Sequence, residues 1–180
     1  MEKAIFLDRD GTINKDKGYV HKAEDFELLP QAAQGLKTMA KLGFRLVIIT
    51  SQSGIGRGFY TEKDMHRTHD HLKALLGGIK IDAIYFCPHH GEHGIGRYKK
   101  DCDCRKPKPG MLLDAQRDLD LDLSKSFMVG DHVRDMEMGK AAGCKTIRIG
   151  ERCAHADFAA RDLLEAARII KKECGQGKNY

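Results

Sequence analysis

The sequence predicts an α/β protein, a parallel β-sheet covered by helices on both faces. Three observations carry that expectation. Short apolar runs alternate with amphipathic segments of helical spacing along the chain. The runs are apolar at consecutive positions, as in strands buried on both faces. The residues with obvious chemistry fall just after those runs, where open sheets of this class bind ligands.

The elements follow in order. Lys3–Leu7 is a buried strand that runs into Asp8-Arg9-Asp10-Gly11-Thr12. Residues 31–42 are apolar at Ala32, Leu36, Met39 and Ala40, a helical period stopped by Gly43. Arg45–Thr50, with LVII at its centre, is the second strand, and a Ser/Gly loop follows it. Thr61 caps a helix that reaches Leu76 and stops at Gly77-Gly78. Ile81–Cys87 is the third strand, and Pro109 fits the first turn of a helix reaching Leu119. Ser126–Gly130 is the fourth strand, Arg134–Ala142 a helix ending at Gly143, and Lys145–Ile149 the fifth strand. Asp157–Lys172 reads as one amphipathic helix and residues 175–180 as a frayed tail. Residues 1–174 are expected to form one domain.

Composition narrows the function. With 180 residues, 41% hydrophobic and 32% charged, the chain suits a globular protein with a proper core. Its longest apolar run, Ala83–Cys87, is too short to cross a bilayer, and the N-terminus reaches charged residues too soon for a secretory leader. A cytoplasmic monomer is therefore expected, with its cysteines as thiols or metal ligands. The net charge of +5 comes without an arginine-rich arm or an aromatic stacking platform. That pattern favours a small phosphorylated ligand over nucleic acid.

Asp8 and Asp10 lie two apart at a strand end, so an extended segment points both the same way. Gly11 then lets the chain turn. Asp131 ends the fourth strand, with Asp135 four residues on. Mutually repelling carboxylates gathered over one sheet edge suit a hard cation such as Mg²⁺. After the second strand, Thr50, Ser51, Gln52 and Ser53 offer hydroxyls and loop N–H groups to a phosphate, and Lys106 adds a fixed positive charge. His66, His69 and His71 share one helix and read as a solvated face.

Cys87 and His89, then Cys102 and Cys104, form a CxH…CxC set with twelve residues between the pairs. It matches a closed, structural Cys₃His zinc site over the loop 87–104, with His90 and His93 as rivals for the histidine position. Arg105 and Lys106 follow the last cysteine directly, so the zinc would fix the origin of the chain that carries them. Cys144, Cys153 and Cys174 are isolated.

DRDGT at 8–12, Thr50 after an apolar strand, Lys106 before a helix and GDxxxD at 130–135 together resemble the four motifs of the haloacid dehalogenase-like superfamily. The resemblance implies a doubly wound, Rossmann-like sheet of order 5-4-1-2-3 and Mg²⁺-dependent phosphoryl transfer through an aspartyl-phosphate. It implies that Asp8 is the nucleophile and Asp10 the acid and base. Thr50 and Lys106 hold the phosphoryl group, and Asp131, Asp8 and the Asp10 carbonyl hold Mg²⁺. The zinc loop, CRKPKPGM after it, GYVH at 18–21 and QSGIGRG at 52–58 narrow the resemblance. They are similar to the D-glycero-D-manno-heptose 1,7-bisphosphate 7-phosphatases, and less so to histidinol-phosphate phosphatases. Ser51 departs from the family's usual Asn. The substrate implied is a sugar bisphosphate contacted by Asp16, Lys17, Gly18, Tyr19, Thr50–Ser53, Arg105 and Lys106. Arg105 would take the second phosphate. No large cap domain is expected. A non-catalytic, zinc-stapled binding module would require a broken catalytic set, and no member of the set is missing.

Overall fold

The structure is a computed structural model that describes residues 1–175. Of the expected tail, Gly175 closes the last helix, and Gln176–Tyr180 lie outside the described residues. The elements are β1 (Ala4–Leu7), α1 (Ala32–Lys41), β2 (Arg45–Ser51), α2 (Ser53–Gly56), α3 (Glu62–Leu75) and β3 (Ala83–Cys87). They continue with α4 (Gly110–Leu119), β4 (Phe127–Gly130), α5 (Val133–Ala141), β5 (Lys145–Ile149), β6 (Phe158–Ala160) and α6 (Leu163–Gly175). Thr61 caps α3 through a capping box with Asp64, as its position suggests. Pro109 sits at the N-cap of α4 rather than inside its first turn.

All strand pairings are parallel and the order is β3-β2-β1-β4-β5-β6. Read from the other edge, this is the expected five-strand order with a sixth strand added. The segment from Asp157 to Lys172 is not one helix. Phe158–Ala160 pairs with β5, and the helix begins at Leu163. A three-residue strand gives too short a period to be told from the start of an amphipathic helix. The Ser/Gly stretch after β2 also contains a short helical turn, α2, where a loop is expected.

Strand alternation divides the core. Ile5, Leu7, Leu46, Ile48 and Val129 face α1, α6 and the C-terminal part of α3. Ala4, Phe6, Val47, Ile49 and Met128 face α4 and α5. Because the strands are parallel, the segments after β1, β2, β3 and β4 emerge at one edge. That edge collects Asp8, Thr50, Cys87 and Asp131. No described helix is long and apolar enough to cross a membrane.

Candidate active site

The turn after β1 brings its acids together by main-chain geometry. Gly11 adopts φ +83°, and its N–H donates to the Asn14 carbonyl at 2.8 Å. A Cβ at this position would lie 2.4 Å from Asp131 Oδ2, so glycine is needed both for the turn and for the approach of Asp131. Thr12 Oγ1 donates to Asp131 Oδ1 at 3.1 Å and ties the turn to the end of β4.

Asp8 is buried, and its Oδ1 accepts the Arg9 N–H at 2.8 Å. Lys106 Nζ lies 2.8 Å from the same oxygen and 2.7 Å from Asp135 Oδ1, and both partners are buried. Burial lifts the Asp8 carboxyl above its ordinary range, and Asp135 reinforces this while Lys106 opposes it. Burial works against the Lys106 charge too, but Asp8 and Asp135 outweigh it and hold the ammonium above an ordinary lysine. Ligating atoms of Asp8, Asp131, His132 and Asp135 all lie within 4.8 Å of one another. Two of the three carboxylates, Asp8 and Asp135, share one ammonium and Asp131 stands beside them, and the excess negative charge suits a hard divalent cation.

The Asp10 carboxylate is outside that cluster. It accepts from Arg9 Nε at 3.1 Å, Arg9 Nη2 at 2.8 and 2.9 Å, Asn14 Nδ2 at 2.9 Å and Gln52 Nε2 at 3.3 Å. Gln52 Nε2 also donates to Thr50 Oγ1 at 2.8 Å, and its Oε1 accepts from Tyr60 OH at 2.6 Å. A cavity of about 340 Å³ opens beside these groups. Asp8, Asp10, Asp16, Gly18, Tyr19, Thr50, Ser51, Gln52, Ser53, Arg105 and Lys106 line it. Lys17 does not line it, since its ammonium reaches Glu27 Oε2 at 3.4 Å. Its neighbours Gly18 and Tyr19 both take positive φ, and Lys17 itself is exposed.

The cavity wall also includes Arg57, Tyr60 and Arg134, which the sequence reading did not single out. Arg57 stands in QSGIGRG and Arg134 in GDHVRD, so motif membership was the available signal. The histidines of α3 need correction. His66 is exposed, whereas His69 is buried and its Nε2 lies 3.2 Å from Arg9 Nη1.

Next to the cavity, β3 and the following loop assemble a second cluster. Cys87 Sγ lies 3.6 Å from Cys102 Sγ and 3.8 Å from His89 Nδ1. Cys104 Sγ lies 3.3 Å from both Cys102 Sγ and His89 Nδ1. A tetrahedron with metal–sulfur bonds of about 2.3 Å has edges of about 3.8 Å, so four ligands at these spacings fit one ion. Hydrogen bonds from Cys87 and then Cys102 hold the Cys104 thiol down to about 5, which favours a thiolate there. His90 takes no part in the cluster: its Nε2 lies 2.8 Å from Arg57 Nη2. Arg105 Nη1 donates to the His89 carbonyl at 2.9 Å, tying the cysteine–histidine loop to the cavity wall.

A family model described as HAD-hyrolase-like matches residues 103–165. The chain is 49% identical to the D-glycero-beta-D-manno-heptose-1,7-bisphosphate 7-phosphatase of Pasteurella multocida (strain Pm70), over 95% of this chain and 98% of that protein. It is 48% identical to the D-glycero-alpha-D-manno-heptose-1,7-bisphosphate 7-phosphatase of Burkholderia mallei (strain ATCC 23344), over 80% and 77%. Among solved structures, the D,D-heptose 1,7-bisphosphate phosphatase of B. bronchiseptica, complexed with magnesium and phosphate, matches with a TM-score of 0.82 and 30% identity. That match covers 95% of this chain and 99% of the other. Relatedness that runs nearly end to end in both sequence and structure places the chain in the heptose-1,7-bisphosphate 7-phosphatase family of HAD-like hydrolases.

Proposed function

We propose that this protein is a Mg²⁺-dependent phosphatase that removes the 7-phosphate of D-glycero-D-manno-heptose 1,7-bisphosphate, a step toward nucleotide-activated heptose. The observation that carries this reading is the convergence of Asp8, Asp131 and Asp135 with Lys106 at the edge of a polar cavity. Family membership supplies the substrate. Asp8, Asp131 and the main-chain carbonyl of Asp10 would hold Mg²⁺, which supplies charge to phosphoryl oxygens and lowers the repulsion between phosphate and an attacking carboxylate. Asp135 reaches that cluster while anchoring Lys106.

Asp8 attacks phosphorus and the sugar oxygen leaves, giving an aspartyl-phosphate. Asp10 gives its proton to that leaving oxygen. It then takes a proton from the water that opens the acyl phosphate, releasing phosphate and restoring Asp8. Lys106 and Thr50 hold phosphoryl oxygens, and Lys106 is already fixed by Asp8 and Asp135 before substrate arrives. Arg105, with Arg57 and Arg134 on the same cavity wall, receives the second phosphate.

Cys87, His89, Cys102 and Cys104 would hold a structural Zn²⁺. Four ligands at tetrahedral spacing would leave no open position for substrate, and the ion would serve to close the loop that carries Arg105 and Lys106.

Phosphate release should be measured with Mg²⁺ on the heptose bisphosphate, sugar monophosphates and histidinol phosphate. The bisphosphate is expected to give the highest kcat/KM, and a clear preference for another member would remove the proposed substrate. Asp8→Asn should lose more than about 10³-fold in kcat while remaining folded, as circular dichroism would show. Substantial turnover in that variant, with deamidation excluded, would remove Asp8 from its role.

A further inference from the structure

Arg9 separates the two working carboxylates, and nothing in the chemistry above uses it. It is nonetheless fully buried, 0% exposed, in contact with Asp10, which lines the polar cavity. Its guanidinium grips both oxygens of Asp10, Nε on Oδ2 and Nη2 on Oδ1 and Oδ2. The fork is itself pinned from two sides. Nη2 donates to the Val20 carbonyl at 2.7 Å, and Nη1 meets His69 Nε2 at 3.2 Å. The Phe26 ring packs near the guanidinium, with its centroid 5.9 Å away.

Arginine has no acceptor, so His69 Nε2 must receive this bond through its lone pair. The ring is then neutral, with its proton on Nδ1. Burial first, and the Arg9 charge second, hold its pKa down to about 3, so it remains an acceptor at neutral pH. His69 itself is only 3% exposed and comes from α3, sixty residues along the chain from Arg9. Asn14 and Gln52 also touch Asp10, but each through one amide nitrogen and to one oxygen. Among the described residues, Arg9 is the one side chain that reaches both oxygens by itself, with the shortest of these contacts at 2.8 Å.

We infer that His69 is a positioning residue for proton transfer: it locks the Arg9 guanidinium, which holds the Asp10 carboxylate at the angle that meets the leaving oxygen. This rests on the reading of Asp10 as the acid and base given above. His69 touches no reacting atom, so its loss misorients the acid without emptying the substrate site.

The test compares His69→Leu, which removes the acceptor, with His69→Gln, whose amide oxygen reaches where Nε2 lies. His69→Asn is the shorter amide that does not reach. Each is assayed on the heptose bisphosphate and on p-nitrophenyl phosphate, whose phenolate departs without needing a proton. On the bisphosphate, His69→Leu and His69→Asn should lower kcat by about tenfold or more and leave KM within about twofold. His69→Gln should recover most of the loss. On p-nitrophenyl phosphate the burst of phenolate reports formation of the aspartyl-phosphate alone, before the water step that Asp10 also serves, and its rate should stay within about threefold of the parent in all three. A burst rate that falls as far as bisphosphate turnover, or a Gln variant no better than Asn, would overturn the inference. If His69→Leu does not fold, the Gln–Asn pair decides. Asp10→Asn is the control. Lost bisphosphate turnover beside an unchanged burst rate there, without the same pattern in the His69 variants, sinks the clamp and leaves the acid in place. A parent protein that cleaves the aryl ester but not the bisphosphate sinks the substrate instead, and the same series is then read on an alkyl phosphate it does cleave.

Discussion

Arg105 follows Cys104 in the chain, and its Nη1 donates to the His89 carbonyl, so its reach into the cavity is set by the cysteine–histidine loop. A substrate with phosphates at both ends needs a cation away from the reacting one, and Lys106 is committed to Asp8 and Asp135. Arg105→Ala is therefore expected to raise KM about tenfold for the bisphosphate and much less for a heptose monophosphate. Steady-state kinetics on both substrates check this, and equal effects would remove Arg105 from the second phosphate. At this scale the sequence was most legible where chemistry leaves few alternatives. Asp8, Lys106 and the CxH…CxC ligands could be named because strand ends and ligand spacing restrict their roles. Arg9 and His69 could not. Alternation sent Arg9 away from the two acids, and a histidine among polar helical residues reads as solvated until a buried guanidinium is seen beside it.

Helices show a second kind of constraint. Gly35 lies in the middle of α1, where alanine would gain about 1 kcal/mol of helix propensity. A Cβ there would lie 2.4 Å from the Leu163 carbonyl carbon at the start of α6. Backbone does not yield cheaply, and overpacking costs about 1–3 kcal/mol. Gly35→Ala is expected to lower the melting temperature, by roughly 2–4 °C per kcal/mol, with kcat of the folded protein unchanged. A higher melting temperature would show that α1 and α6 separate freely. Helix α3 carries a pH effect through His69. Its folded pKa of about 3 lies below the ordinary 6.5, so on acidification the unfolded chain binds a proton that the fold refuses. Stability contributed by neutral His69 is complete above pH 6.5 and declines as pH falls toward 3. Between pH 7.5 and 5 the protein should lose about 2 kcal/mol more than His69→Gln in denaturant unfolding at fixed Mg²⁺. Equal losses would place His69 in contact with water.

For the whole molecule, the sheet edge and the soft-ligand loop are coupled through residues 104–106. Removing the proposed Zn²⁺ with a chelator, while Mg²⁺ stays saturating, should lower the melting temperature by several degrees and reduce kcat/KM about tenfold. Circular dichroism melts and phosphate-release kinetics measure the two effects. An unchanged kcat/KM would mean that the loop does not position Arg105 and Lys106. The sequence by itself determined the alternation of strands and helices, the strand-end acids and the spacing of the soft ligands. These are local patterns, fixed by hydrophobic period and by ligand chemistry. The tertiary structure alone decided the sixth strand, because a three-residue edge strand is defined by its neighbour and not by its own period. It also decided that Asp135 anchors Lys106, that Lys17 turns to Glu27 and that His69 meets Arg9. Each of those is a pairing of charges or donors from distant segments, and a partner is chosen by which groups the packed core leaves side by side and shielded from water.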